Sequence, residues 1–332
     1  MQVFKHWVVF LWCCSSLGSI EIAMAQEAKL PEVFPNRVIR LVVPFTAGGP
    51  ADALARNLAE GLNKRFQYQV IVENRPGANT AIASQYVAKS PPDGYTLLLG
   101  SDAGMSLAPA TQKNLSYDPG KDFVGVAMLA QLTQILFVNS GVPAKSVQEL
   151  ANLARTSSGG LSYASIGKGS QSHVSMEALN QILKVQMIHV PYTGAANAIT
   201  DMLGGSVQVM MASIATPLPH IKSGKLRALA IAGPERSKEL PDVPTFSESG
   251  VAGFESRGWF GIVAPAKTPP QILNILSRDI WAVVQSEPFI SQAIEDKGFD
   301  IPKVSPAEFP DFLAKDRMKW KTIVDKLGSA LN

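Results

Sequence analysis

The sequence is almost without cysteine: it has two, Cys13 and Cys14, and both lie near its N-terminus. Residues 1–25 have the features of a secretory signal peptide. An apolar stretch at 7–17, too short to span a bilayer, precedes an A-x-A cleavage pattern that ends at Ala25. We therefore expect an exported protein that begins at Gln26; a retained membrane anchor is the alternative. The mature chain would have no cysteine, which excludes disulfides, thiol nucleophiles and thiolate metal sites.

Charge is also scarce, because charged residues make up only 17% of the chain and the formal net charge is +3. Nothing in their distribution resembles the basic stripe of a nucleic-acid-binding protein or a polybasic membrane patch. The apolar runs that follow the N-terminal segment are shorter than a membrane-spanning helix requires. We expect a soluble exported protein that does not bind nucleic acid, and the mild positive balance is compatible with an anionic ligand.

Histidine is rare as well, and His173, His189 and His220, which follow the N-terminal segment, do not have the spacing of metal ligands. The sequence also lacks an acidic calcium loop, so we expect neither a metal nor a cofactor. The serine-hydrolase pattern G-x-S-x-G is missing. Ser170 and His173 lie three residues apart, and no evident group orients the imidazole, so they form a poor nucleophile–base pair. We predict that the protein is not an enzyme; an exported hydrolase using these two residues is the alternative.

The feature around which the chain is organised is the stretch from Ile39 to Leu62. Ile39–Val43 reads as a buried strand, and apolar residues at helical spacing follow from Pro50. The glycine-containing loop between them would present the N–H groups of a helix start to an anion. The alternative is an ordinary turn that binds nothing. The spacing matches neither nucleotide-binding fingerprint, so a nucleotide is not implied.

The rest of the chain alternates strand and helix patterns, which predicts an α/β fold with mainly parallel sheets. In such sheets, ligands bind at the carboxyl ends of the strands. Two long β-prone segments, 123–139 and 254–264, could carry the chain between two lobes. The other predicted segments are strands at 70–73, 96–100, 161–165, 187–190, 207–211 and 226–232, helices at 78–89, 146–155, 171–183, 195–203, 270–285 and 306–327, and a loop at 101–104.

Several segments together carry a resemblance to a known family. They include PNRVIRLVVPFTAGGPADALAR, VIVENRPGANTAIA, SPPDGYTLLLG, LSYASIGKGSQSH, MIHVPYTGAANAITDMLGG and GWFGIVAPA. The sequence resembles the substrate-binding proteins of tripartite tricarboxylate transporters, the Bug family of periplasmic receptors. The resemblance covers nearly the whole mature chain. It implies a two-lobed, type II periplasmic-binding-protein fold that closes on its ligand like a flytrap, with lobes at 26–130 plus 255–332 and at 131–254.

The family resemblance also implies a function: the capture of a small organic carboxylate in the periplasm for a permease with one large and one small subunit. Receptors of this kind are usually monomers. A sensory receptor that presents its ligand to a membrane kinase is the alternative. The residues that match the family's ligand-binding positions are Phe45, Thr46, Gly48, Gly49, Asp52, Ser101, Asp102, Ser165, Gly167, Ser170, His173, Tyr192, Thr193, Gly194, Ala212 and Ser213.

Two of these positions carry a further expectation. Asp52 falls in the first turn of the predicted helix, where an acidic side chain favours the helix dipole, so a structural role is the alternative to ligand contact. Family members that bind amino acids often have Asp where this chain has Ala212. Since a buried ammonium group needs a counter-charge, the resemblance implies a ligand without an amine: a dicarboxylate, a hydroxy acid or an aromatic carboxylate.

Overall fold

A computed structural model describes residues 34–157, 159–295 and 298–331. The proposed signal peptide lies outside the described residues, and residues 37–332 form one compact unit. The strands in the described part are β1 (Ile39–Val43), β2 (Val70–Asn74), β3 (Thr96–Ser101), β4 (Phe123–Asn139), β5 (Ser162–Ser165), β6 (Ile188–Pro191), β7 (Val209–Ser213), β8 (Leu226–Ile231) and β9 (Arg257–Pro265).

Helices flank these strands, and several begin directly after a strand's carboxyl end. The α-helices in the described residues are α1 (Pro50–Phe66), α2 (Ala81–Ala88), α3 (Ala108–Thr111), α4 (Val147–Thr156), α5 (Gln171–Leu183), α6 (Ala195–Leu203), α7 (Leu218–Lys222), α8 (Pro270–Val284), α9 (Glu287–Phe289) and α10 (Phe309–Leu327). Single 3₁₀ or π turns occur at Ala78–Thr80, Ala103–Leu107, Ile290–Ile294 and Gly328–Leu331. Within the described ranges, no helix is both long and apolar enough to cross a membrane.

The strands follow the order β2-β1-β3-β9-β4-β7-β5-β6, and β8 also pairs with β4. The pairs β1–β2, β1–β3, β5–β6 and β5–β7 are parallel, as strand–helix–strand connections require. The long strands β4 and β9 are antiparallel to each other. The first part of β4, up to Thr133, pairs with β9, and the part from Gln134 onwards pairs with β7. The predicted α/β fold is confirmed, with parallel pairs toward both ends of the strand order and antiparallel pairs around β4 and β9.

Apolar side chains pack on both parts of this strand arrangement. One cluster joins Val42, Leu98 and Trp259 to Phe309 and Leu313 of α10. The C-terminal helix α10 is therefore part of the core. Two further clusters cover the second part of β4, one centred on Leu136 and Val138 and the other on Ile135 and Phe137. Successive residues of β4 thus contribute to opposite sides of the sheet, as strand geometry dictates.

Several predicted boundaries are corrected. The helix expected over 78–89 starts at Ala81, because Ala78, Asn79 and Thr80 have left-handed backbone angles. The loop expected over 101–104 is shorter: Ser101 ends β3, and the chain enters a π turn at Ala103.

Other corrections concern strands and the last helix. Strand β7 starts two residues later than expected, because parallel pairing with β5 begins at Val209. Strand β9 begins at Arg257 because Phe254 instead packs on Phe246, with a ring-centroid distance of 4.6 Å. The helix expected over 306–327 begins at Phe309. Strand β7 also ends two residues later than expected, whereas the other corrected ends shift by one residue. The strands β1 and β4 and the helices α5 and α6 have the predicted bounds.

Candidate functional site

The carboxyl ends of the parallel strands face one another across the middle of β4. Ser101 at the end of β3 pairs with Phe260, and Phe260 pairs with Ala130 of β4. Further along β4, Gln134 pairs with Ser213 at the end of β7, a strand that runs in the opposite direction. About 13 Å of strand separates Ala130 from Gln134, given a rise of about 3.3 Å per residue. The strand ends of both parts of the sheet therefore point toward one short segment of β4, residues 130–134.

The other predicted loops follow these strand ends. Because β1 is parallel to β3, the loop from Phe45 begins at the same edge as Ser101. Because Ser165 pairs with Pro191 in parallel β5 and β6, the loops that follow these two residues are neighbours at the opposing edge. The structure thus brings the predicted loops to the edges that face the middle of β4.

Asp52 holds the first loop in shape. Its Oδ2 accepts the Gly48 N–H at 2.9 Å and the Arg56 Nε–H at 2.9 Å, and its Oδ1 accepts Asn74 Nδ2–H at 2.8 Å. Asn74 also donates to the Phe45 carbonyl. These bonds, that to Arg56 first, lower the pKa of Asp52 to about 2. Both carboxylate oxygens bind groups of the protein, so the geometry supports the structural alternative for Asp52.

The same loop leads into an uncapped helix start. Gly48 has φ +82°, a left-handed conformation that glycine adopts without strain. Gly49 is the N-cap of α1 and offers no capping side chain, and Pro50 is the first helical residue. Thr46 and Gly48 are exposed, whereas the Phe45 ring contacts Phe260 edge to face at a centroid distance of 5.8 Å. The N–H groups of this helix start carry partial positive charge beside an accessible loop.

The end of β3 is buried and polar. Ser101 Oγ has no hydrogen-bond partner among the described residues. Asp102 is also buried, and loss of hydration, followed by repulsion from Asp316, raises the pKa of its carboxyl to about 7. Asp316 lies on α10 and accepts the Trp259 indole N–H at 2.9 Å. Near neutral pH, the Asp102 carboxyl can therefore exist in either protonation state.

Across the middle of β4, two histidines support the loop after β5. The rings of His173 and His189 stack with a centroid distance of 3.9 Å. His173 Nδ1 accepts the Gly169 N–H at 3.0 Å, and His189 Nε2 lies 2.6 Å from Ser165 Oγ. Burial lowers the pKa of both rings, that of His173 to about 4. Both imidazoles are therefore neutral at neutral pH and act as fixed hydrogen-bonding groups.

Ser170 has a capping role in this arrangement. Its hydroxyl donates to the Gly167 carbonyl at 2.6 Å and accepts the His173 N–H at the start of α5. The His173 imidazole binds Gly169 and is not hydrogen-bonded to the serine. Ser170 is therefore the N-cap of α5, and this geometry offers no nucleophile–base pair.

The loop after β6 is fixed by a hydrogen bond to α6, the helix that follows it. The Tyr192 hydroxyl donates to Asp201 Oδ2 on α6 at 2.8 Å, and burial together with this bond raises its pKa to about 12. Thr193 is exposed, and Gly194 is the N-cap of α6 without a capping side chain. The backbone of this loop, together with Thr193, is therefore the part that faces outward.

The last predicted positions lie at the end of β7. Ala212 is buried in an apolar cluster that includes Ile135 and Phe137. Ser213 is partly buried, and its Oγ has no hydrogen-bond partner among the described residues. In those residues, too, no group of three or more His, Cys, Asp or Glu side chains is placed to hold a metal ion.

A family model described as "Tripartite tricarboxylate transporter family receptor" matches residues 54–329. The chain belongs to this family. It is 33% identical to the protein BugT of Bordetella pertussis, over 90% of this chain and 92% of BugT. It is 32% identical to a UPF0065 protein of Pseudomonas sp. strain P51, over 93% of this chain and 92% of that protein.

Two similar solved structures agree with this assignment. Rpa4515 of R. palustris, determined with adipate, has a TM-score of 0.78 at 31% identity and covers 89% of this chain and 99% of its own. MatC of Rhodopseudomonas palustris, determined with bound malate, has a TM-score of 0.75 at 32% identity and covers 88% of this chain and 100% of its own. The predicted periplasmic-binding-protein fold is confirmed, and the chain is a periplasmic solute receptor and not an enzyme.

The sequence interpretation missed a pair of glutamines in this receptor. Gln134 Nε2 donates to Gln171 Oε1 at 2.9 Å, which links the middle of β4 to the first residue of α5. Gln171 Nε2 in turn donates to Ser256 Oγ at 3.4 Å. One signal was available: Gln131, Thr133 and Gln134 interrupt an otherwise apolar strand, and buried polar side chains need partners.

Proposed function

We propose that this receptor captures a small organic carboxylate between the facing strand ends and delivers it to the permease of a tripartite tricarboxylate transporter. The observation that carries the proposal is the start of α1, where Gly49 provides no capping side chain. An anion there is favoured by the partial positive charge and the N–H groups of the helix start. The similar proteins determined with adipate and malate support the carboxylate class.

The contacts of Asp52 explain how an acidic residue can lie beside an anion site. Its charge is compensated by Arg56 and by the Gly48 N–H, and its side chain is buried. Charge-assisted hydrogen bonds of this kind fix loop geometry. Backbone N–H groups, the Thr46 hydroxyl and ordered waters can then bind the ligand, because water-bridged contacts are nearly as favourable in enthalpy as direct ones.

The proposal includes the organisation expected from the sequence. Residues 26–130 and 255–332 form one lobe and residues 131–254 the other, with β4 and β9 as the crossing strands. A division in this part of β4 is supported by the exchange of its partner strand from β9 to β7 between Thr133 and Gln134, three residues beyond the expected boundary. We further propose cleavage after Ala25, a monomeric receptor, and the predicted loop residues as the ligand site.

The ligand is proposed to lack an amine. Ala212 lies in an apolar cluster at the end of β7, where a carboxylate would be needed to compensate a buried ammonium group. Dicarboxylates, hydroxy acids and aromatic carboxylates therefore fit better than amino acids. A micromolar dissociation constant for aspartate or glutamate would contradict this part of the proposal.

The test is a thermal-shift and calorimetric screen of residues 26–332 against adipate, malate, succinate, benzoate, aspartate and glutamate. A ligand at 100 times its dissociation constant stabilises the folded state by about 2.7 kcal/mol, which is several degrees for a protein of this size. Shifts confined to the amine-free acids support the proposal. If no carboxylate shifts the melting temperature and none gives binding heat, the carboxylate class is wrong.

Two variants at one position test the helix-start site. Gly49 has ordinary extended angles (φ −81°, ψ 170°), and the nearest atom to an added Cβ, the Thr46 carbonyl oxygen, would be 3.6 Å away. Gly49→Asp should cap α1 with its own carboxylate, so stability is kept while ligand affinity falls at least tenfold, by roughly 1.4 kcal/mol. Gly49→Ala is the matched control and should bind nearly as the wild type does. Undiminished binding by Gly49→Asp would place the anion elsewhere.

Delivery to a permease needs a separate test in the native host. Uptake of the identified, radiolabelled ligand should be lost when this gene is deleted and restored by the wild-type gene. Restoration by Gly49→Ala but not by Gly49→Asp would connect uptake to the site. Unchanged uptake in the deletion strain would refute delivery while leaving carboxylate binding intact.

A further inference from the structure

Two polar side chains at the crossing of β4 and β9 have unused hydrogen-bonding capacity. Gln131 is only 3% exposed, yet its side-chain amide forms no hydrogen bond with the described residues. The Arg257 side chain is 30% exposed and forms no hydrogen bond with them either. Its ion pair with Glu255 is a loose one, with 4.0 Å between Nε and Oε2. Because both groups have lost much of their hydration without gaining partners, a ligand that bonds to them would be favoured.

Gln131 and Arg257 line the same two cavities. The larger one, of about 240 Å³, lies between β9 and α10, and Lys315 and Lys319 of α10 also line it. The smaller one, of about 90 Å³, lies beside Asp300. A cavity holds one water molecule when it offers roughly 10–15 Å³ to the centre of a water-sized probe. The larger cavity therefore has room for a small ion together with several waters.

The charges around the larger cavity favour an anion. Cationic side chains in its lining outnumber acidic ones: Arg257, Lys315 and Lys319 against Glu255 and Asp316. Neither lysine has a carboxylate within salt-bridge distance in the part of the chain that the structure describes. Asp316 already accepts the Trp259 indole N–H at 2.9 Å, and burial raises the pKa of its carboxyl. The planar guanidinium of arginine presents paired N–H groups that match two oxygens of a carboxylate or a phosphate.

Strand geometry separates these side chains from the strand ends of the candidate site. Gln131 and Thr133 lie on one face of β4, and Arg257 shares that face because it pairs directly with Thr133. Gln134 lies on the other face, together with its partner Ser213 at the end of β7. Gln131 and Arg257 are thus on the opposite face of β4 from Gln134 and Ser213.

We propose that Arg257, Gln131, Lys315 and Lys319 form a second anion site, which binds a small oxyanion, a phosphate or a carboxylate, between β4, β9 and α10. The Arg257 guanidinium and Gln131 Nε2 donate hydrogen bonds to the anion, and the two lysines supply further positive charge. A bound anion links these three elements just before the point at which β4 exchanges its partner strand. The site is separate from the start of α1 and does not depend on the proposed carboxylate transport.

The test is calorimetry of residues 26–332 with phosphate, acetate and citrate, at an ionic strength held constant with sodium chloride. At least one of these anions should bind the wild type, and its affinity should fall about tenfold or more in Arg257→Gln, which loses the charge and the paired donors. Arg65→Gln is the matched control, because Arg65 is an exposed arginine of α1, and it should bind as the wild type does. Gly49→Asp, which blocks the helix-start site, should also keep this binding.

The anion whose binding Arg257→Gln weakens identifies the class, phosphate or carboxylate, that the site takes. The second site does not exist if none of the three anions binds, or if Arg257→Gln binds them as tightly as the wild type. Binding that is lost in Gly49→Asp and kept in Arg257→Gln would place the anion at the helix start, which supports the proposed function and overturns the second site. If Arg257→Gln melts well below the wild type, Lys319→Gln serves as a second variant, and unchanged affinity there also overturns the proposal.

Discussion

Replacing Asp52 by Asn gives a direct measure of how firmly the first loop is held. The substitution keeps the shape of the side chain and removes the charge that binds Arg56 and the Gly48 N–H. The pKa of Asp52 is about 2 in the folded state against 3.8 for the free group. Each pKa unit is worth about 1.4 kcal/mol, so the carboxylate contributes about 2 kcal/mol, and somewhat less because the half-exposed Arg56 is screened by solvent.

The sign of the pH dependence follows from the lowered pKa. A carboxyl whose folded pKa lies below its unfolded value stabilises the protein above pH 3.8, and this contribution disappears as the pH falls through about 2. Urea unfolding at pH 7 should therefore show Asp52→Asn less stable than the wild type by about 1–2 kcal/mol, with a smaller difference at pH 3.

A control separates this effect from ordinary surface charge. Asp325 forms an exposed ion pair with Lys321 on α10, so Asp325→Asn should change the free energy of unfolding by less than about 0.5 kcal/mol. The reasoning about Asp52 is wrong if its variant also stays within that range at pH 7, or if the loss is the same at pH 3.

Three further predictions concern other described contacts. Ser146→Ala removes the hydroxyl that accepts the Glu149 N–H at the start of α4, so urea unfolding should show a loss of about 1 kcal/mol. Asp102→Asn should become more stable relative to the wild type as the pH rises from 4 to 8. A carboxyl whose folded pKa is raised stabilises the protein below pH 3.8 and loses this contribution by about pH 7. A difference in unfolding free energy that stays constant over this range contradicts the prediction. His173→Phe keeps an aromatic ring and removes the acceptor of the Gly169 N–H, so it should be destabilising at pH 7. The loss of unfolding free energy in this variant should shrink as the pH falls from 6.5 to 4, because the wild type loses stability there by protonating a ring whose folded pKa is lowered. A loss that is the same at both pH values would refute the argument.

The sequence was most informative where local pattern and tertiary structure agree. Strand β1, the glycine loop and α1 were predictable because an apolar β-branched run, two glycines and a proline each favour the observed conformation. The Ser146 cap was predictable for the same reason, since its hydroxyl accepts the Glu149 N–H. The start of β7 was not predictable from the sequence. Val207 is apolar and β-prone, but it precedes the first residue that pairs with β5.

The candidate site divides in a similar way. Glycines and strand ends located the loops, because backbone geometry at those positions follows from residue type. The direction of a side chain does not follow from residue type. Asp52 binds Arg56 of its own helix, and Tyr192 binds Asp201 of the helix that follows it. The pairing of Gln134 with Gln171 joins residues 37 positions apart and depends on the register of β4 against its neighbours. No local pattern contains that information.

The distribution of unpartnered polar atoms connects the fold to the ligand. Ser101 Oγ, Gln134 Oε1 and Ser213 Oγ are buried without hydrogen-bond partners among the described residues. Gln134 pairs with Ser213 across β4 and β7, and Ser101 pairs with Phe260, the partner of Ala130. Each such atom weakens the folded state, and a fold selected for stability alone would replace it with an apolar group. Their position at the strand ends around one segment of β4 agrees with the proposed capture of a polar ligand there.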